Sequence, residues 1–247
     1  MNRDVRLHLA LETAAAYRGM GMGAGPNIVS LALLAELAGV PCIGYDVRST
    51  RREDAERDIR ILRSSIEGRL DICMAPGPDL LEMAFNVRPD RVTLVPERRE
   101  GGAALSGLDA RLLKDALRKQ VLHLRDAELD VAVQIEPDLE QVKALHRAEA
   151  QIAVLFAGAW IRATNEADRA AELRRLVDAA DLAVRLKMKV AVAGGLNLQA
   201  VETLAATESI TELHVGHACL ARSMVVGIER AVSDFLAAIR RGRRAGA

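Results

Sequence analysis

Short runs rich in apolar, β-forming residues alternate with longer amphipathic runs along the whole chain, and this alternation restricts the possible folds more than any other feature. The strand-like runs lie near Val5–Leu9, Cys42–Asp46, Leu70–Met74, Arg91–Val95, Leu129–Ile135, Gln151–Phe156, Lys189–Ala193 and Glu212–Val215. Helical spacing falls between them, near Asn27–Ala38, Glu53–Ile66, Asp79–Asn86, Asp109–Arg125, Leu139–Ala148, Glu166–Leu186, Leu198–Ala206 and Ala218–Arg240. Strands that are each followed by a helix are the grammar of a closed parallel barrel. The strands are apolar on both faces, as in Gln151-Ile-Ala-Val-Leu-Phe156, which suits strands covered by helices outside and by neighbouring strands inside. The sequence therefore predicts an α/β fold, a (βα)8 TIM barrel spanning residues 1–247 as a single domain with minor extra helical segments.

Helix-start signals agree with this register. Pro26 precedes the first helical run, Pro137-Asp138 opens the fifth, Asn165-Glu166 the sixth, and Asn197 stands as an N-cap directly after a glycine pair. With aromatic residues at only 2%, the core has to be aliphatic. A formal net charge of zero argues against nucleic acid as the partner. The opening Met1-Asn-Arg-Asp4 and the lack of any long apolar stretch predict neither a signal peptide nor a membrane span. Cys42, Cys73 and Cys219 are odd in number and far apart, which points to a reducing cytoplasm and no zinc ribbon.

Function is first suggested by two glycine turns, Lys189-Val-Ala-Val-Ala-Gly-Gly195 and Leu213-His-Val-Gly-His217. In such a barrel the seventh and eighth loops are neighbours at the catalytic face. Glycines there let backbone N–H groups approach a phosphate. Gly194, Gly195, Gly216 and His217 are thus candidate phosphate contacts, or else simply tight turns at strand ends. Three further stretches are longer than a barrel requires and lie on the same face: Gly19–Gly25, Arg98–Gly107 and Ala157–Thr164.

Asp46 and Arg48, two apart at the end of the second strand, share a face. They either orient a polar ligand or pair with each other. His8, Asp46 and Cys73 are expected at corresponding heights on strands 1, 2 and 3. Their donor types would suit zinc, but the spacing matches no metal motif, so no metal is assigned. Cys73 is alternatively a small buried hydrophobe. His217 is either a phosphate donor or acid/base group, or a helix-start residue. His214 is expected inside the barrel. The arginines of Arg48–Arg63 and Arg240–Arg244 read as solvated helix faces and a helix end. Trp160 either covers a ligand or anchors a subunit contact.

The order of elements and the strings Asp58-Ile-Arg-Ile-Leu62, Leu94-Val-Pro-Glu97, Gly107-Leu-Asp109 and Glu212-Leu-His-Val-Gly-His-Ala218 resemble the pyridoxine 5′-phosphate synthase family along essentially the whole chain. The resemblance implies a (βα)8 barrel, assembled as an octamer and needing no cofactor. It also implies condensation of 3-amino-2-oxopropyl phosphate with 1-deoxyxylulose 5-phosphate. Arg48, Gly195, the Gly216-His217 pair and, with a one-residue shift, Arg18 match the family's ligand-binding positions.

The family's acid/base positions are occupied differently. Its strand-1 Asn-x-Asp-His motif falls on His8-Leu-Ala-Leu11, its strand-2 histidine on Asp46 and its strand-3 glutamate on Cys73. The histidine beside the seventh-strand glycine falls on Gly194, a histidine contacting the pentulose phosphate on Glu53, and a threonine after strand 4 in Ala103-Ala104. Closing a pyridine ring needs several positioned proton donors and acceptors, each worth about 10²–10⁴-fold. The expectation is a barrel that binds or acts on a small phosphorylated or anionic metabolite, with the parent condensation lost. In that scheme Asp46 is the general base, His217 an acid or phosphate ligand, Cys73 a further candidate, Arg18 and Arg48 anion contacts, and His8 a further ligand contact. The alternatives are a catalytically silent ligand-binding or assembly paralogue and a genuine synthase.

Overall fold

Strands that are apolar on both faces need cover on both, and a closed ring inside a shell of helices provides it. The computed structural model describes residues 4–18, 25–47, 52–97 and 106–246. Its strands are β1 (Arg6–Ala10), β2 (Cys42–Val47), β3 (Arg69–Met74), β4 (Arg91–Leu94), β5 (Asp130–Ile135), β6 (Ile152–Phe156), β7 (Lys189–Ala193) and β8 (Glu212–Val215). They pair in parallel in sequence order, and β8 returns to β1 to close the barrel. All expected strands are present, with ends displaced by no more than a residue.

The helices are α1 (Glu12–Arg18), α2 (Ile28–Leu37), α3 (Arg52–Ser65), α4 (Pro78–Val87), α5 (Lys114–Asp126), α6 (Leu139–Arg147), α7 (Gly158–Arg162), α8 (Glu166–Arg185), α9 (Leu198–Ala205), α10 (His217–Val226) and α11 (Ile228–Ala245). Predicted caps operate: Asn197 accepts from Ala200 N at 2.9 Å, and Asp138 accepts from Glu140 N and Gln141 N. α5 starts later than expected because Asp109 Oδ1 accepts from Arg111 N and Leu112 N, holding a turn ahead of the helix. The single helix expected at Ala218–Arg240 is two, separated by Gly227 at φ +82°. α1 and α7 are additions; α7 carries Trp160 into the core at 6% exposure, rather than over a ligand or on a contact surface.

Along each strand, side chains alternate between the helix shell and the lumen. Tilted strands stack the lumen in layers drawn from alternate strands. From the N-terminal end upward, the strand register gives first Cys42, Arg91, Ile152 and Glu212, then His8, Asp71, Ala132 and Ala191. Above them come Gly44, Thr93, Val154 and His214, and then Ala10, Cys73, Gln134 and Ala193 under the mouth. One side of the lumen is hydrocarbon, where Ala132, Ile152, Val154, Ala191 and Ala193 form their own cluster. The other side is ionic.

Candidate functional site

The ionic side is built around Arg91, which enters from the first position of β4 and is 1% exposed. A buried guanidinium needs compensating anions, and two are within reach. Its Nη2 lies 2.8 Å from Asp71 Oδ2 and 2.6 Å from Glu212 Oε1. Thr93 Oγ1 donates to the Asp71 carboxylate, at 2.9 and 2.8 Å from its two oxygens. His8 Nε2 donates to Asp71 Oδ2 at 3.1 Å, and His214 Nε2 donates to Glu212 Oε1 at 2.8 Å. The two imidazoles stack, with centroids 3.9 Å apart and planes 16° from parallel. The His8 ring also fills the space beside Gly44, where a Cβ would overlap it.

Burial would by itself raise the Asp71 carboxyl, but the Arg91 charge and the hydrogen bond from His8 hold it well below the usual range. Glu212 is likewise held low against its burial, by the hydrogen bond from His214 and by Arg91. The imidazoles diverge. Burial opposes charge on His8, yet the Cys42 sulfur and the Asp71 carboxylate raise it from 6.5 to about 10. Burial and the neighbouring His8 cation lower His214 from 6.5 to about 4, despite Glu212. Asp71 and Glu212 are therefore matched in charge by Arg91 and His8, with His214 neutral.

The mouth lies above this network. Gly194 (φ +109°) and Gly195 (φ +82°) turn the chain after β7, both in the region that disfavours side chains. At Gly194 a Cβ would also stand 2.8 Å from the Phe156 ring. His217 is exposed at the first turn of α10, beside Gly216. These four expected phosphate contacts thus share one rim.

Asp46 and Cys73 are register partners on β2 and β3, both partly exposed near the mouth. His8 does not join them: it pairs with Cys42 and lies two layers below Cys73, fully buried against Asp71. The expected common height of the three overlooked the stagger of a tilted barrel. Cys73 is also no ready nucleophile, because burial and then the Asp71 and Asp46 carboxylates push its thiol up. Cys219 is buried and its thiol pushed up to about 12 by that burial. Arg48, Ala103-Ala104 and most of the Gly19–Gly25 and Arg98–Gly107 stretches lie outside the described residues, as do the side chains of Arg18 and Glu53.

Glu12 carried no weight when the chain was read as sequence alone. From the first turn of α1 its carboxylate rests on Gly216, where any Cβ would overlap it. It therefore faces the N-terminus of α10, a favourable place for negative charge, and it accounts for Gly216 without a phosphate. Asp71, Arg91, Thr93 and Glu212 were also passed over. The available signal was polar residues recurring every second position within otherwise apolar strands. Among the described residues, no group of three or more His, Cys, Asp or Glu is placed to hold a metal ion. No helix among them is long and apolar enough to cross a membrane.

The family described as "Pyridoxal phosphate biosynthesis protein PdxJ" matches residues 7–241. The chain is 36% identical over 235 residues to the pyridoxine 5′-phosphate synthase of Desulforapulum autotrophicum, covering 95% of this chain and 98% of that protein. It is 36% identical over 231 residues to the pyridoxine 5′-phosphate synthase of Geotalea daltonii, covering 94% and 97%. A protein of the same name from Trichodesmium erythraeum is 34% identical over 233 residues, covering 94% and 97%. Among solved structures, tryptophan synthase from M. tuberculosis in its aminoacrylate-bound form superposes with a TM-score of 0.63 at 10% identity, covering 97% of this chain and 94% of that one. TrpF from Jonesia denitrificans gives 0.60 at 15%, covering 98% and 100%. These last two are likenesses of fold.

Proposed function

Because the chain belongs to the PdxJ family of pyridoxal phosphate biosynthesis proteins, we propose that it binds a small phosphorylated metabolite at the rim after β7 and β8, with an acid/base set rebuilt so that the family's condensation is lost. The observation that carries this is the Gly194–Gly195 turn at positive φ, on the strand next to the one whose end opens α10 at His217. Turns of this kind aim backbone N–H groups at one point, and anions bind there. Where the resemblance implies proton-transfer groups, this chain has Asp46, a Cys73 thiol held protonated and a glycine at 194. Glu12 narrows the ligand further. With a carboxylate resting on Gly216, the phosphate sits toward Gly194–Gly195 and the ligand presents a proton donor or ammonium toward Glu12. Assembly as a homo-oligomer in the cytoplasm belongs to the same proposal and rests on the resemblance.

The test is complementation of a bacterium lacking its own pyridoxine 5′-phosphate synthase. No growth without vitamin B6, despite soluble expression, is the expected result. Growth would establish the second reading, a genuine synthase, which is favoured by 36% identity over 98% of a relative bearing that name. A purified protein that binds inorganic phosphate yet turns over no phosphorylated metabolite would instead favour a silent ligand-binding paralogue.

A further inference from the structure

Of the two stacked imidazoles in the lumen, one is sealed and the other reaches the layer beneath the mouth. We propose that His214 is the proton acceptor of this barrel, positioned by Glu212 and switched on by an anion bound at the rim. The proposal rests on the reading of the β7–β8 rim as an anion site.

His214 projects into the lumen from β8, two residues before Gly216. It keeps 8% exposure where His8 has none. What lies over it is small. Barrel lumens are ordinarily filled by Val, Ile and Leu, but the residues of β1 and β7 above His214 are Ala10 and Ala193, and Gly44 shares its own layer. Side chains no larger than methyl at these positions accord with the exposure that His214 keeps.

The ring is also oriented. Its Nε2 edge is bound to Glu212 Oε1 at 2.8 Å, so the opposite edge, carrying Nδ1, is the one left for a ligand. A carboxylate on one nitrogen fixes the tautomer and leaves a lone pair on the other. Glu212 is itself held by Arg91 at 2.6 Å and by Arg6 at 3.4 Å.

At rest the surrounding charges oppose a proton on His214. The His8 cation is stacked against it, Arg91 lies beneath, and Glu212 and Asp71 are already matched by those two cations. On the mouth side, Asp46 and Glu12 lie near enough to act on the Cys73 thiol, which is itself neutral. An anion at the rim changes this balance. Its field favours imidazolium, so ligand binding and proton uptake reinforce each other in equal measure. In the proton transfer, an acidic X–H bond of the bound ligand breaks, its electron pair stays on the ligand, and an H–Nδ1 bond forms. The imidazolium rests between Glu212 and the anion until it returns the proton.

The experiment is nitrogen NMR of the full-length chain with ¹⁵N-labelled histidine and glycine, titrated with inorganic phosphate over a range of pH. His214→Gln assigns the relevant resonance among the five histidines. Without phosphate, His214 should be neutral at pH 7, with its proton on Nε2. With phosphate at saturation, reported by the Gly195 and His217 amides, its midpoint should rise by at least one pH unit, a tenfold gain in proton affinity. His123 and His146, on α5 and α6, should not move. Saturation of the rim amides with no such rise at His214 overturns the proposal and leaves the anion rim standing. Rim amides that ignore phosphate overturn both. As a second variant, Glu212→Gln keeps the hydrogen bond without the charge. It should lower the phosphate-bound midpoint of His214, and an unchanged midpoint would remove Glu212 from the assignment.

Discussion

On the β5–β7 side of the lumen, Ala132, Ile152, Val154, Ala191 and Ala193 meet as plain hydrocarbon. On the side running from β8 through β1 to β4, the same inward positions hold His214, Glu212, His8, Cys42, Asp71, Arg91 and Thr93. Backbone geometry is common to both sides, so the difference lies in what fixes each one. Hydrocarbon packing is forgiving in direction and strict in volume. An ion network is strict in direction, because each charge taken from water must find its partner at hydrogen-bond distance. The charged side is therefore the one able to hold an imidazole in a set orientation beneath the mouth, while the apolar side supplies a filled wall.

Removing the central cation would break this contrast most severely. Arg91→Leu leaves Asp71 and Glu212 buried with too little positive charge, and should cost about 3–5 kcal/mol in urea unfolding. A loss below about 1 kcal/mol would mean that water or a proton compensates the carboxylates readily.

The next effect concerns pH. His8 is raised in the folded state, so its stabilisation is complete below about pH 6.5 and is lost as pH climbs toward about 10. His214 is lowered, so its contribution is complete above about pH 6.5 and is lost as pH falls toward about 4. Unfolding free energy should therefore peak near pH 6.5. His8→Gln should flatten the alkaline limb and His214→Gln the acid one. Limbs that survive these changes would have to be assigned to other groups.

Thr93→Val keeps the shape and deletes one hydrogen bond to a charged carboxylate. The expected loss is about 1.5–3 kcal/mol, read from the denaturant midpoint at constant slope. Ile152→Val on the apolar side should cost least, about 0.5–1.5 kcal/mol. Should Ile152→Val prove the more damaging of the two, packing volume rather than charge pairing would be the constraint on the lumen.

Much of this architecture is legible from single stretches of sequence. Gly194-Gly195 followed by Asn197 gives a strand end, a turn and a helix cap within a few residues. The apolar run Gln151–Phe156 announces a strand covered on both faces. What stays hidden depends on stagger and on partners remote in sequence. Asp71 reads as one polar residue in an apolar run until β4 brings Arg91 and Thr93 beside it. His8 and Cys73 look level when strands are drawn side by side, and are two layers apart once the strands tilt. Glu12 belongs to the site only because α1 turns back toward α10. Gly227 lies inside an otherwise unbroken helical pattern, where a lone glycine is ordinarily tolerated.

The ionic half also bears on how the chain reaches its fold during synthesis. Arg91 and Asp71 leave the ribosome early, whereas Glu212 comes only with β8, the strand that closes the barrel. A nascent β1–β4 segment thus carries an arginine short of one of its two acids, and burying it would cost several kcal/mol. That cost opposes closing on a neighbouring copy or collapsing into a dry half-barrel, the usual hazards for an unfinished sheet. On that cost, the lumen is expected to stay hydrated until β8 arrives. Its last charge then completes the ring that the strand itself closes.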